Sequence, residues 1–358
     1  MAAPDPSGIS HSDIAVDLNC VSKTFRQRQR SEKLGDILKN LVRPVFREVA
    51  ALRDIDLKIA RGEIVAYAGP NGAGKSTTVK IASGMLAPDS GTVRVLGMDP
   101  VRQREIYMRR IGVVFGQRTE LWMDHTVAAS YEWKRVVWEI PQDRFERMVG
   151  FVHEMLGLGE FYKTLVRELS LGQRMRADLG MALLHEPEIL FLDEPSLGLD
   201  VLAKRSMLDY ITGLNRDRKV TVMVTSHDMA ELEQLAGRIV MIHHGEIAFD
   251  GDFARLRREF VDRRVLLLDT DSPLAPNLPG ATLISTEGHR HEYAFDAGET
   301  GVGDLLAVAA QQTQLLDVET HRAPIDDIIA DIYVRWQKAG NRREVSESPH
   351  GNSPTDRP

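Results

Sequence analysis

GPNGAGKST, residues 69–77, is the stretch that decides the fold of this chain. It satisfies the pattern G-x-x-x-x-G-K-[ST] and lies between the apolar run EIVAYAG, typical of a buried strand, and a helical pattern over Lys75–Met85. Glycines let the backbone curl so that successive N–H groups point at phosphate oxygens. Lys75 can reach the β- and γ-phosphates, and the Ser76 hydroxyl can ligate Mg²⁺. The stretch therefore predicts a nucleotide-binding loop made of Gly69, Pro70, Asn71, Gly72, Ala73, Gly74, Lys75, Ser76 and Thr77.

A second strand pattern, in ILFLDEPSLGLD at residues 189–200, ends in two carboxylates. Because α/β folds place ligands at the carboxyl ends of their strands, we expect this acidic pair beside the phosphate loop. Asp193 suits the Mg²⁺ shell, through water, and Glu194 suits the general base that polarises or orients the attacking water. A structural ion pair is the alternative, and the phosphate loop makes it the weaker one.

Three single residues gain meaning from their order along the chain. Gln117 follows IGVVFG and could contact Mg²⁺ or the water, although alone it reads as a surface glutamine. His227 closes TVMVTSH, where an imidazole could touch the γ-phosphate, although a lone histidine is usually a satisfied polar residue. Phe25 could stack on adenine, although a lone phenylalanine is more often part of a core.

The stretch LSLGQ, Leu169–Gln173, opens a helical pattern, RMRADLGMALL. A helix start with free N–H groups and small polar side chains is suited to bind an anion. The phosphate loop at residues 69–77 already supplies a fuller cradle. A second anion-binding helix start implies a second phosphate, or the same phosphate approached from another molecule.

Strand and helix patterns alternate from about residue 51 to 250, which predicts an α/β domain with a mainly parallel sheet. Residues 14–25 alternate like a strand, and about 119–180 read as a helical insertion. A basic arm occupies 26–50, since residues 23–53 hold nine Lys or Arg against three Asp or Glu. Its apolar residues recur at helical steps, which predicts an amphipathic helix that packs on its own domain or lies at a membrane surface.

The main domain accordingly spans 14–260, and the pattern restarts on a smaller scale after it. Strand patterns and two helical patterns predict a small α+β accessory domain at 261–337. The polar segment 338–358 predicts a disordered tail, and 1–13 a flexible N-terminus.

The composition of the 358 residues is that of a soluble globular protein, with 43% hydrophobic and 27% charged residues. The net charge of −7 argues against general nucleic-acid affinity. No window approaches the eighteen or more apolar residues of a membrane span, and the N-terminus lacks the features of a secretory signal. The single cysteine, Cys20, excludes an internal disulfide, fits a reducing cytosol, and reads as a small apolar residue of the first strand.

Taken together, these elements resemble the ATP-binding subunit of ABC transporters over residues 14–250, and they look most similar to the type-two exporter class. The match comprises six motifs in one order: the phosphate loop Gly69–Thr77, a Q-loop at Gln117, the signature Leu169, Ser170, Leu171, Gly172 and Gln173, the Walker B run to Asp193 and Glu194, a D-loop from Ser196 to Asp200, and a switch histidine at His227. The commonest signature of the family has Gly where this chain has Leu171.

The resemblance implies a P-loop NTPase that binds ATP and Mg²⁺. It implies that two subunits face each other head to tail, so that the signature of one binds the γ-phosphate held by the other. The expected partners are a second copy or a homologous ATPase subunit and integral membrane permease subunits, with no nucleic acid. The chain would then lie in the cytoplasm, peripheral on the inner face of the cell membrane. The alternatives are a soluble ABC-type ATPase acting on ribosomes or nucleic acid, and a nucleotide-gated regulatory module with weak turnover, which Glu194 argues against.

Overall fold

The structure, a computed structural model, describes residues 13–28, 46–116, 118–260 and 263–322, together with Ile325, Ile329, Ile332, Tyr333 and Trp336. The chain divides into two compact units, and the boundary lies between Phe253 and Ala254. This boundary is slightly before residue 260, the expected end of the main domain.

The centre of the first unit is a six-stranded sheet. Its strands are β3 (Ile64–Ala68), β5 (Ile111–Phe115), β6 (Ile189–Asp193), β7 (Thr221–Thr225), β8 (Arg238–His243) and β9 (Glu246–Gly251). They lie in the order β5-β6-β7-β3-β8-β9, and every neighbouring pair is parallel except β8 with β9. Strands β3, β6 and β7 are buried along nearly their whole length, as expected for apolar strands of a parallel sheet covered on both faces. The predicted α/β fold with a mainly parallel sheet is confirmed.

A smaller antiparallel sheet carries the beginning of the chain. It consists of β1 (Ile14–Arg28), β2 (Phe46–Ala60) and β4 (Ser90–Val95), in the order β2-β1-β4. From Thr24 with Ala50 out to Arg28 with Phe46, β1 and β2 pair without a register shift. Residues 26–28 and 46–50 of the basic arm are therefore strand rather than helix, because they extend this ladder. The apolar stripe on which the helix was predicted lies in 29–45, outside the described residues.

Helices connect the strands of the first unit. Four of them are α1 (Lys75–Ala82), α2 (Arg104–Met108), α6 (Val201–Arg218) and α7 (Met229–Leu235). The predicted helical insertion between β5 and β6 contains α3 (Val127–Val137), α4 (Gln142–Leu156) and α5 (Leu171–Leu183). In the part of the chain that the structure describes, no helix combines the length and the apolar character needed to cross a bilayer.

The second unit has the predicted α+β pattern. The boundary falls after the first residue of α8 (Phe253–Phe260). The further elements of the second unit are β10 (Arg263–Thr270), β11 (Ala281–Glu287), β12 (Arg290–Asp296), α9 (Val302–Gln312) and β13 (Leu315–Arg322). The antiparallel sheet has the order β11-β12-β10-β13, and its core includes Leu266, Leu268, Tyr293, Phe295 and Leu305. Of the last predicted helix, the five described positions are helical, and Ile325, Ile329 and Ile332 are buried. Ile328 and the predicted disordered tail lie outside the described residues.

Cys20 lies in β1 as predicted, but it is exposed rather than buried. Its φ of 47° falls at an irregularity in the pairing of β1 with β2, which turns the side chain away from the core. The negative charge of Asp56 is the main cause that raises the pKa of the Cys20 thiol, followed by desolvation and by the charge of Asp54. The thiolate is therefore disfavoured at neutral pH.

Candidate nucleotide-binding site

The phosphate loop leaves the carboxyl end of β3 and runs directly into α1. Gly74, the residue before the helix, has a φ of 118°, which only glycine adopts without strain. A Cβ at Gly74 would lie 2.7 Å from both Ala51 O and Leu52 Cδ2. A Cβ at Gly69 would lie 2.4 Å from Ile242 O. The loop therefore packs closely against β2 and β8, and these contacts require glycine at positions 69 and 74.

Lys75 folds back over the loop that precedes it. Its ammonium donates to Gly69 O at 2.6 Å and lies 3.3 Å from Pro70 O, and the side chain is only 6% exposed. Burial lowers the pKa of Lys75, while the charges of Glu194 and Asp193 raise it. These two carbonyl contacts hold the Lys75 ammonium at the loop, where it can reach the β- and γ-phosphates of a bound triphosphate.

Asp193 accepts hydrogen bonds from hydroxyl groups that lie on two other elements. Its Oδ1 accepts from Thr225 Oγ1 at 2.7 Å and from Ser76 Oγ at 3.2 Å. The carboxyl ends of β6 and β7 and the start of α1 thus meet at one point. One carboxylate and one hydroxyl, with phosphate oxygens and water, form the all-oxygen donor set that suits Mg²⁺. The residues present fit the predicted metal site, and Gln117, the third predicted ligand, lies outside the described residues.

Glu194 is held in an unusual backbone conformation at the end of β6. Its φ is 54°, in the left-handed region, and its N–H donates to Thr225 O at 3.0 Å and to Thr225 Oγ1 at 3.1 Å. The adjacent turn approaches so closely that a Cβ at Gly116 would lie 2.1 Å from Glu194 O. A strained non-glycine residue retained beside a phosphate loop is typical of a functional position.

A cavity of about 450 Å³ opens beside these groups and extends toward the helical insertion. Ser76, Asp193 and Glu194 line one part of it, and Asp178 of α5 lines another. Asp178 accepts from Thr119 Oγ1 at 2.7 Å and from the Glu120 N–H at 3.2 Å. Burial raises the pKa of Asp178 to about 7. The segment after the Q-loop position is therefore tied to the signature helix.

His227 and Phe25 lie at the margins of the site. His227 is exposed and follows β7, at the same sheet edge as the phosphate loop and Glu194. Phe25 is 37% exposed and is paired with Val49 in β2, two residues from Ala51, which contacts the phosphate loop. Stacking of Phe25 on adenine and a γ-phosphate contact of His227 stay predictions.

The signature forms the start of α5. Ser170 Oγ accepts from the Gln173 N–H at 3.2 Å, and Gln173 Oε1 accepts from the Ser170 N–H at 2.9 Å, which is a reciprocal capping box. Leu171, Gly172 and Gln173 are partly exposed, and the helix start faces outward. None of the hydrogen bonds found for Ser170 and Gln173 in the described residues reaches the phosphate loop of the same chain.

Sequence reasoning missed Glu231, a buried acid on α7. Ser196 of the D-loop donates to its Oε2, Ser226 Oγ lies 3.3 Å from the same oxygen, and the Lys204 ammonium lies 2.8 Å from Oε1. Glu231 therefore joins the D-loop to the residue that precedes His227. The only sequence signal is an acidic residue at a position of α7 that faces the core. Asp200, the last D-loop residue, caps α6 by accepting from the Ala203 N–H at 2.9 Å.

Comparisons with known proteins agree with this geometry. A family model described as ABC transporter matches residues 52–197. The chain is 32% identical over 203 residues to the ABC transporter ATP-binding protein NatA of Bacillus subtilis, covering 57% of this chain and 82% of that protein. It is 30% identical over 310 residues to the daunorubicin resistance ATP-binding protein DrrA3 of Streptomyces coeruleorubidus, covering 85% and 95%. A dimeric ATP-binding cassette, solved in a post-hydrolysis state with ADP and Pi, is 25% identical with a TM-score of 0.55, over 66% of this chain and 98% of the other.

Proposed function

This chain belongs to the family of ABC transporter ATP-binding proteins, and from that premise we propose that two copies enclose two Mg-ATP and drive export through separate permease subunits. The chain binds ATP, and its family hydrolyses it. The observation that carries the proposal is the arrangement of the phosphate loop and Glu194 at one sheet edge, with an outward-facing signature helix start elsewhere on the same chain.

Each residue of the edge has a role that its geometry supports. The backbone N–H groups of residues 71–76 and the Lys75 ammonium bind the β- and γ-phosphates. Ser76 and, through water, Asp193 would hold Mg²⁺, with Gln117 as the third expected ligand, and the ion would supply positive charge that neutralises the phosphates. Glu194 orients the attacking water and accepts its proton, and its fixed backbone keeps the carboxylate near that water. The His227 imidazole contacts the γ-phosphate.

We infer that the signature of a partner supplies hydrogen-bond donors to the outer side of the nucleotide. The helix start at Ser170 combines the backbone N–H groups of Leu171 and Gly172, which take no part in the capping box, with the positive end of the α5 dipole. Facing the phosphate loop of a second copy, it would complete the enclosure of the γ-phosphate. The dimeric state of the solved cassette that resembles this chain supports this proposal.

The helical insertion offers a surface for the permease. Trp122, Met123, Trp133, Val136 and Val137 are exposed large apolar side chains of this insertion, and the rings of Trp122 and Trp133 lie 4.6 Å apart. Clustered exposed apolar side chains mark an interaction site. We place the chain at the inner face of the cell membrane through this contact. Export is proposed because a relative, DrrA3, is named for daunorubicin resistance.

Mixing two inactive variants tests the shared sites. Lys75→Ala removes the phosphate cation and Ser170→Ala alters the signature, so each variant alone should hydrolyse ATP very slowly. In an equal mixture, one composite site of each heterodimer contains both intact residues, and part of the wild-type activity should return. Two differently tagged copies of Lys75→Ala serve as the matched control. If heterodimers form by tag pull-down and activity stays at the level of the control, the shared-site proposal is wrong.

A further inference from the structure

Leu171, the first residue of α5, lies directly on the D-loop of its own chain. A Cβ built on Gly198 would be 2.9 Å from Leu171 Cδ2, so a methyl group of the leucine covers the backbone of Gly198. Gly198 has a φ of 74° and forms the bend of the D-loop. The leucine therefore packs directly on the Gly198 backbone, which is accessible because glycine has no side chain at this turn.

A second contact joins the same two segments. A Cβ built on Gly172 would lie 3.3 Å from Ala203 Cβ and 4.0 Å from Leu199 Cδ2. The first turns of α5 and α6 thus approach each other closely, and each is capped by its own side chain, Ser170 and Asp200. The first turns of the two helices are therefore closely packed, so one cannot shift toward the other without a steric clash.

The D-loop in turn is bonded to the catalytic edge. The Leu197 N–H donates to Glu194 O at 3.2 Å, and the Ser196 hydroxyl donates to Glu231 beside the His227 segment. A chain of contacts therefore runs from Leu171 through Gly198 to Glu194. Its two ends serve different nucleotides in a dimer, since the signature binds the partner's ATP and Glu194 acts on the ATP of its own chain.

We propose that Leu171 is a positioning residue that couples the two ATP sites by fixing the signature to the D-loop of the same chain. This inference rests on the proposed function, because it requires sites shared between two copies. When the signature engages a partner's γ-phosphate, the leucine carries the D-loop with it, and the carbonyl of Glu194 follows. A glycine at position 171 would leave the signature free to move without the D-loop.

The test uses the full-length chain with Leu171→Gly, Leu171→Met, Gly198→Ala and the double variant Leu171→Gly with Gly198→Ala. We expect Leu171→Gly to lower kcat about tenfold while the ATP affinity of the dilute monomer stays within about twofold of wild type. Leu171→Met keeps an apolar side chain of similar volume and should retain most of the activity. Because both single changes disrupt one contact, the double variant should lose less than the product of the two single losses.

The outcomes separate the inference from its premise. A wild-type chain that hydrolyses ATP at full rate as a monomer would overturn the proposed function, and the role of Leu171 would fall with it. A wild type that dimerises with ATP, combined with a Leu171→Gly variant whose kcat is within twofold, would overturn the role of Leu171 alone. Losses at Leu171 and Gly198 that multiply in the double variant would also overturn it.

Discussion

Glu231→Ala removes the acceptor that joins the D-loop to the His227 segment. In the structure, the carboxylate accepts from Ser196 and lies 3.3 Å from Ser226 Oγ, and both hydroxyl-bearing residues are buried. Lys204 lies 2.8 Å from Glu231 and also 3.1 Å from Asp228, so its ammonium keeps one carboxylate after the substitution. The change therefore leaves the buried hydroxyls of Ser196 and Ser226 without this acceptor, although Ser226 Oγ still accepts from the Asp228 N–H at 3.0 Å. Lys204 stays paired with Asp228.

The stability loss follows from these contacts. A buried hydroxyl left without an acceptor costs about 1–3 kcal/mol. The lost Lys204 ion pair adds less than about 1 kcal/mol, because the lysine is 29% exposed and its charge remains compensated. We expect the first unit to lose about 3 kcal/mol, which lowers Tm by about 6–12 °C for a domain of this size. Glu231→Gln keeps one amide oxygen as acceptor and should lose about half as much.

Thermal unfolding and steady-state ATP hydrolysis measure the two effects. Because Ser196 and the His227 segment would move independently, kcat of Glu231→Ala should fall about 10- to 100-fold at a temperature where the variant is still folded. Gln234→Ala, at an exposed position of the same helix, is the matched control and should change neither quantity. A Glu231→Ala variant with Tm within about 2 °C of wild type, or with undiminished kcat, would refute the reasoning.

Three further predictions concern the site and its supports. Glu194→Gln should bind ATP, form ATP-dependent dimers in light scattering and turn over very slowly; near-normal hydrolysis would refute the base assignment. Gly116→Ala should lower the free energy of unfolding by about 1–3 kcal/mol in denaturant and remove most of the activity, because its Cβ would lie 2.1 Å from Glu194 O. Gly150→Ala is the control and should be neutral or slightly stabilising, because a Cβ there would have no atom within 4 Å. The pKa of Asp178 is raised to about 7, so its contribution to stability is full below its ordinary pKa near 4 and is lost as pH rises through 7. Asp178→Asn should therefore remove about 4 kcal/mol of that decline in chemical denaturation between pH 4 and 7, and an unchanged pH profile would contradict the raised pKa.

The six motifs were recognisable because each depends on residues that are neighbours along the chain. The phosphate loop needs its glycines within nine residues, and the capping box of α5 needs only Ser170 and Gln173. The alternation of apolar runs likewise predicted the parallel sheet and the α+β unit. Such features are encoded locally, since backbone conformation and helix caps are set by adjacent side chains.

The failures have equally specific causes. The basic arm was predicted over 26–50, yet its ends at 26–28 and 46–50 are strand, because pairing out to Arg28 and Phe46 extends the β1–β2 ladder. The helical spacing itself lies in 29–45, outside the described residues. Cys20 was interpreted as a small apolar residue of the first strand, and a local irregularity in the pairing exposes it.

The amino-acid sequence by itself determined which chemical groups the protein carries and the local form of the phosphate loop and of the α5 helix start. Only the tertiary structure decided which groups meet: Ser76 with Asp193 across 117 positions, Ser196 with Glu231 across 35, and Leu171 with Gly198. The physical reason is that these meetings depend on strand order and helix packing, which are properties of the whole fold. No short stretch of residues specifies them.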